Sequence, residues 1–260
     1  MAPRPMFTWP MRPLTRLKTV AVVVSVAALS AAFFPAQLDD EEDFRKQREE
    51  MVRLLASPRW SEAEPVRNPR VLQAFRDVPR HRFVAPELAR HAYSDHPLPI
   101  GHQQTISQPY VVAKMTEVVE PQKRHRVLEV GTGSGYQAAI LARLVAEVYT
   151  IEIVEPLALA ARSRLAELGY KNVEVRVGDG YRGWPERAPF DSIVVTAGAK
   201  EIPPALVEQL KPGGRMVIPV GETFAAQKLL LVTKGSKGPR DIRIQEVMEV
   251  RFVPLVRERE

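Results

Sequence analysis

The chain has 260 residues, 45% of them hydrophobic and 26% charged, which suffices for one sizeable globular domain with a modest N-terminal extension and excludes two full domains, a fibrous repeat or a disordered chain. Residues 1–37 carry Arg4, Arg12, Arg16 and Lys18 and no acid, so they supply +4 of the net +6, and the +2 left for the rest argues against a nucleic-acid partner. With no cysteine, disulfides, thiolate nucleophiles and cysteine-based zinc sites are excluded, while the compartment stays open.

The N-terminal basic stretch precedes an apolar run, Val20 to Phe34, interrupted only by Ser25 and Ser30. That is the pattern of a secretory signal, with Ser30, Ala31 and Ala32 as small residues suited to cleavage; a membrane anchor is the alternative. The acidic run Asp39 to Asp43 fits the start of a helix reaching about Leu55, because carboxylates favour the positive helix end. Pro58, Pro65 and Pro69 then break the chain, and a short helix follows from about Arg70 to Phe75. These features divide the chain into a signal-like or membrane-targeting segment (1–37), an N-terminal helix and linker (38–68) and a main domain (69–260).

From Arg126 onward, strand and helix patterns alternate. Val127 to Val130 reads as a buried strand and the stretch after Gly135 as a helix ending near Val145. A strand over 148–153, a helix over 155–168 and a strand over 173–177 follow. Later strands fit 192–196, 216–220 and 229–232, with a helix near 204–210. Such alternation specifies a doubly wound α/β fold with a mostly parallel sheet. The segment from about Ile242 to Val253 lacks a preceding helix, so the sheet is expected to end in an antiparallel C-terminal pair.

Gly131-Thr132-Gly133-Ser134-Gly135 lies directly between the first strand of this region and its helix, where open α/β sheets bind ligands. A dinucleotide fingerprint would need glycine at 136, and Tyr136 stands there. The spacing resembles the first motif of the class I, Rossmann-like methyltransferases, whose cofactor is S-adenosylmethionine. Two acids fall at successive strand ends. Glu152 is placed to accept ribose hydroxyls, and Asp179, within Gly178-Asp179-Gly180, to accept from an adenine amino group. Glu129, within the first strand, belongs to the same candidate cofactor set as Gly131, Thr132, Gly133, Ser134, Gly135, Glu152, Asp179 and Gly180. His91, His96 and His102 lack both cysteine partners and a helical H-x-x-x-H spacing, so no metal is expected.

The segment Gly101 to Tyr110 closely resembles the signature loop of the protein-L-isoaspartate O-methyltransferases. The same family's pattern recurs, in order, at Ala92-Tyr93-Ser94-Asp95, Val127 to Ala138, Gly178 to Gly180, Gln209 to Gly221 and Phe252-Val253-Pro254-Leu255. Gln103 departs from it, standing where bacterial relatives usually have glycine.

The resemblance implies methyl transfer from S-adenosylmethionine to the misplaced carboxyl of L-isoaspartyl residues in damaged proteins, giving an ester that collapses to a succinimide and so begins repair. It implies that Ser107 sits beside the transferring methyl, and that Thr105 and Ile106 with Phe252, Val253, Pro254 and Leu255 hold the substrate. The implied partners are isoaspartyl peptides and proteins, with a monomeric, metal-free enzyme in the cytoplasm; the signal-like segment points instead to the periplasm. The chemistry needs no general base, since a carboxyl group with a pKa of about 4 is already ionised near neutrality. Ser107 also suits an N-cap, because Gln108-Pro109 follow it and Val111, Val112, Met115 and Val118 share one helical face. A methyltransferase for another acceptor and an inactive adenosyl-binding module are the alternatives, and the Thr105-Ile106-Ser107 loop speaks against the first.

Overall fold

The computed structural model describes residues 27–57, 64–223, 225–238 and 240–257, and side chains from Asp40 onward. The signal-like reading of residues 1–37 lies outside the described residues as far as Val26, as does the break at Pro58. Among the described residues no helix is long and apolar enough to cross a membrane.

The chain divides into two units, Met1–Asp40 and Glu41–Glu260. In the first, the described residues belong to helix α1, Ala27–Ala56. The acidic run is therefore inside a helix and not at its start, with Pro35 before it in the same helix. Glu42 is satisfied instead by Arg45, three residues on, at 2.7 Å. In the second unit α1 buries Met51, Val52 and Leu55. Its Phe44 stacks on His81 at 4.1 Å between ring centres.

Helix α2, Pro69–Asp77, starts on Asn68, whose side chain accepts from the amides of Arg70 and Val71. A hairpin follows, β1 (Leu98–Gly101) with β2 (Gln104–Ile106), then α3, Pro109–Val118. The loop expected between Gly101 and Ser107 is thus partly sheet. His102 and Gln103 make its turn at φ of 51° and 58°, so Gln103 occupies the left-handed region in which glycine is favoured.

The remaining elements alternate: β3 (Arg126–Val130), α4 (Tyr136–Ala142), β4 (Glu147–Glu152), α5 (Glu155–Glu167), β5 (Val173–Val177), β6 (Phe190–Val195), α6 (Pro204–Glu208), β7 (Leu210–Val220), β8 (Gln227–Lys234) and β9 (Ile242–Val250). They form one sheet in the order β5-β4-β3-β6-β7-β8-β9. The strands from β5 to β7 in this order are parallel to one another, and β8 and β9 are added antiparallel.

Both faces are covered, which explains the near-continuous apolar runs. On β3 and β6, Val127 and Val194 face the core built with α2, α3 and α4, while Leu128, Val130, Ile193 and Val195 face the opposite core with α6. The chain leaves β3 for β4 on one side and later returns to β6 on the other. That change of direction opens a crevice at the strands' carboxyl ends.

Candidate active site

The glycine loop occupies this crevice and is tied to strands on both sides. The amides of Gly131 and Thr132 donate to the Ile151 carbonyl at 2.8 and 3.2 Å. On the other side Thr196 Oγ1 lies 2.6 Å from the Gly131 carbonyl and 3.0 Å from that of Val130, and its single proton is shared between them. Gly131 stands at φ 100°, and a Cβ there would collide with Thr196 Oγ1, so both backbone conformation and close approach require glycine.

Two carboxylates meet the loop in different ways. Glu152 Oε2 accepts from the Gly133 amide at 2.8 Å and Oε1 from the Val154 amide at 2.9 Å. A carboxylate has about four acceptor positions. Glu152 therefore keeps acceptor capacity towards the crevice that it lines.

Glu129 is fully buried on β3. Thr150 Oγ1 donates to its Oε2 at 2.5 Å, which commits the Thr150 proton, so Thr132 Oγ1, 2.6 Å away, donates to Thr150. Glu129 Oε1 has no hydrogen-bond partner among the described residues. Burial pushes the carboxyl up to about 8, against the lowering by the Thr150 hydroxyl and reinforced by the Glu152 charge. An orphaned buried acceptor beside a cradle that excludes any Cβ fits a ligand that brings a donor or a positive charge to this end of the crevice.

About 780 Å³ of space, open solvent at its mouth included, lies in the crevice. Of the residues expected to bind cofactor, Glu129, Gly131, Thr132, Gly133, Ser134, Glu152 and Gly180 line it. Gly135 and Asp179 do not. Gly135 backs against Leu165, and Asp179 Oδ1 accepts from the Tyr181 amide at 2.8 Å, capping the turn Gly180–Arg182. Of the residues expected to touch substrate, Thr105, Ile106, Ser107, Val253, Pro254 and Leu255 line the same crevice.

A groove continues from it, sharing Thr105, Ser107, Thr196 and Val253, and passes Val111, Met248 and Phe252. Sequence reasoning missed Thr196, Ala197, Tyr136, Gln137 and Val256, all of which line the crevice. Thr196 had a signal, because it directly follows a parallel strand next to the glycine loop. Among the described residues no group of three or more His, Asp or Glu is arranged to hold a metal ion.

The N-cap reading of Ser107 is corrected by the structure. The N-cap position of α3 is Gln108, without a side-chain cap. The first amide turn is held from outside: Asp95 Oδ1 accepts from the Tyr110 amide at 2.8 Å and its Oδ2 from Gln108 Nε2 at 3.0 Å. The Asp95 turn is itself held by the buried Arg80, whose Nε donates to the Ala92 carbonyl at 2.7 Å. Ser107 Oγ therefore has no hydrogen-bond partner among the described residues, and it sits where crevice and groove meet.

A family profile described as protein-L-isoaspartate(D-aspartate) O-methyltransferase matches residues 48–260. A protein-L-isoaspartate O-methyltransferase of Opitutus terrae is 51% identical over 244 residues, 94% of this chain and 98% of that protein. A second, from Polaromonas sp., is 54% identical and covers 81% of this chain and 99% of its own length. A solved protein-L-isoaspartate O-methyltransferase superposes with a TM-score of 0.68 at 30% identity, over 80% of this chain and 65% of that one. A putative enzyme of this kind from Plasmodium falciparum, solved in complex with S-adenosyl-L-homocysteine, shares the fold, with a TM-score of 0.66 at 24% identity over 82% of this chain and 98% of its own. The match over most of this chain's length, with the site motifs in order, places this chain in the protein-L-isoaspartate O-methyltransferase family.

Proposed function

We infer that this chain transfers a methyl group from S-adenosylmethionine to the free carboxyl of L-isoaspartyl residues in damaged proteins, the first step of their repair. The observation that carries the reading is the junction at Ser107, where a crevice lined by the glycine loop, Glu129 and Glu152 meets a groove lined by Val111, Met248 and Phe252.

S-adenosylmethionine, when bound, supplies an electrophilic methyl carbon on a positively charged sulfur. The chain's own residues supply place and direction. Glu152 uses its remaining acceptor positions for ribose hydroxyls, and Glu129 Oε1 accepts a donor from the cofactor's amino-acid end. Gly131 and Gly133 leave room for the backbone to approach.

On the acceptor side the isoaspartyl carboxylate is already ionised, so no residue is needed to remove a proton. Thr105, Ile106, Val253 and Pro254 hold the peptide, and Ser107 orients the carboxylate. Alignment of this kind lowers barriers by several kcal/mol, on the order of 7 or more at best. The apolar wall of Ile106, Val112 and Val253 excludes water from the attacking oxygen.

The test is a pair of otherwise identical peptides, one isoaspartyl and one aspartyl, incubated with the protein and labelled cofactor. Base-labile methyl ester on the isoaspartyl peptide alone is expected. Equal labelling of both, or of neither, overturns the assignment.

Residues 1–37 serve targeting, the catalytic unit acts as a monomer, and nucleic acid is not a substrate. The charge pattern of the segment supports the first of these and the small net charge of the rest supports the last. A reporter that matures only outside the cytoplasm, fused after residue 37, reads out export directly. If it stays inactive the protein works in the cytoplasm.

A further inference from the structure

The segment Phe252-Val253-Pro254-Leu255 crosses from the groove to the crevice: Phe252 lines the former, Val253 both, and Pro254 and Leu255 the latter. It follows β9 but belongs to no named strand, so its position depends on bonds from elsewhere. Tyr181 Oη donates to the Leu255 carbonyl at 3.4 Å, and two closer sources provide the rest.

Gly198, just beyond β6, donates its amide to the Val253 carbonyl at 2.8 Å and accepts from the Leu255 amide at 2.7 Å, a single parallel bridge. Gln227, the first residue of β8, supplies the second anchor from its side chain. Its Oε1 accepts from the Phe252 amide at 2.9 Å and its Nε2 donates to the Phe252 carbonyl at 3.2 Å. The primary amide thus imitates one residue of a neighbouring strand and satisfies both backbone groups of Phe252.

The geometry allows little else. Gln227 is 1% exposed. Its side chain lies flat on Gly198, where a Cβ would collide with the Gln227 amide group. The two anchors are therefore packed on each other, and displacing either displaces the other. A carboxamide is required because the site needs one donor and one acceptor in one plane; a carboxylate supplies only acceptors.

We propose that Gln227 is a positioning residue for the peptide substrate: it fixes Phe252 and so sets the height of Val253 and Pro254 against the isoaspartyl backbone. This rests on the substrate reading given above. Gln227 reaches the groove end of the segment, whereas the glycine loop, Glu129 and Glu152 are held by bonds that do not involve it. Its loss is therefore felt by the peptide before the cofactor.

The test compares wild type with Gln227→Glu, Gln227→Leu and Gly198→Ala, the last of which crowds the Gln227 amide from the β6 side. The measurements are kcat and KM for an isoaspartyl peptide, cofactor Kd by calorimetry, and melting. For the two Gln227 variants a rise of at least tenfold in peptide KM is expected, with cofactor Kd within threefold of wild type. Gly198→Ala, which pushes the amide away without removing it, is expected to move the two constants in the same unequal way. Unchanged peptide KM in folded Gln227→Glu overturns the proposal, as does a cofactor Kd that weakens as much as the peptide KM. If Gln227→Leu does not fold, the isosteric Gln227→Glu decides. Wild type in the same assay tests the substrate reading separately, since its activity on isoaspartyl peptide is independent of where Gln227 acts.

Discussion

Replacing Ser107 by alanine separates orientation from capping. Ser107 Oγ makes no hydrogen bond among the described residues, and the α3 amide turn is held by Asp95. Ser107→Ala removes no native bond, so its effect on stability is expected to stay within about 0.5 kcal/mol. For a domain of this size 1 kcal/mol moves Tm by roughly 2 to 4 °C, so the shift is at most about 2 °C. Turnover is expected to fall about 30-fold, equivalent to about 2 kcal/mol of lost orientation in the transition state. Asp95→Ala supplies the contrast, because it deletes the acceptor of the Tyr110 amide and of the Gln108 side chain. A lost cap costs about 1 to 2 kcal/mol, or roughly 2 to 8 °C. The assay is turnover at saturating cofactor and isoaspartyl peptide beside a melting curve for each variant. A Ser107→Ala enzyme with near-normal turnover and a Tm several degrees lower would refute the reasoning.

Glu152→Ala removes the acceptor for the Gly133 and Val154 amides as well as for the cofactor; calorimetry is expected to show cofactor binding weakened by about 1 to 3 kcal/mol, and unchanged affinity removes Glu152 from the site. Gly131→Ala sets a Cβ against Thr196 Oγ1 at a left-handed φ, so a titration should show cofactor binding lost, with Tm falling in the ligand-free protein; retention of both contradicts the packing described. Glu129 is held at about 8 by burial, above its ordinary 4.5. The sign follows from linkage: with a native pKa above the unfolded one, its contribution is full below about pH 4.5 and is lost as pH rises through 8. Ligand-free Glu129→Gln should therefore show a flatter dependence of Tm on pH across that window, and a profile parallel to wild type shows that Glu129 does not titrate there.

Much of this protein was legible in local sequence. The apolar runs of β3 and β6, the helical periods between them and the glycine loop at the strand-to-helix turn are set by neighbouring residues, so element type and the side of the sheet that binds ligand follow from period and turn chemistry alone. The extent of α1 was not, since the acidic run that reads as a helix start lies inside a helix that begins at Ala27. Nor was the hairpin ahead of Ser107, whose turn places His102 and Gln103 in a conformation that composition does not announce.

Tertiary structure decided the rest, where one polar group has several possible partners and only folding brings the right one near. Serine before Gln108-Pro109 reads as a cap until Asp95, from a separate turn, reaches the same amides. Glu129 reads as a candidate cofactor residue, but only burial shows that one of its oxygens has no partner among the described residues. Gln227 carries no signal of its own, since an amide becomes an anchor only when β8 sets it between Gly198 and Phe252, residues 29 before and 25 after it in the chain. The residue type determines what each group can donate or accept; which demand it meets is a matter of distance, and distance is set by the sheet.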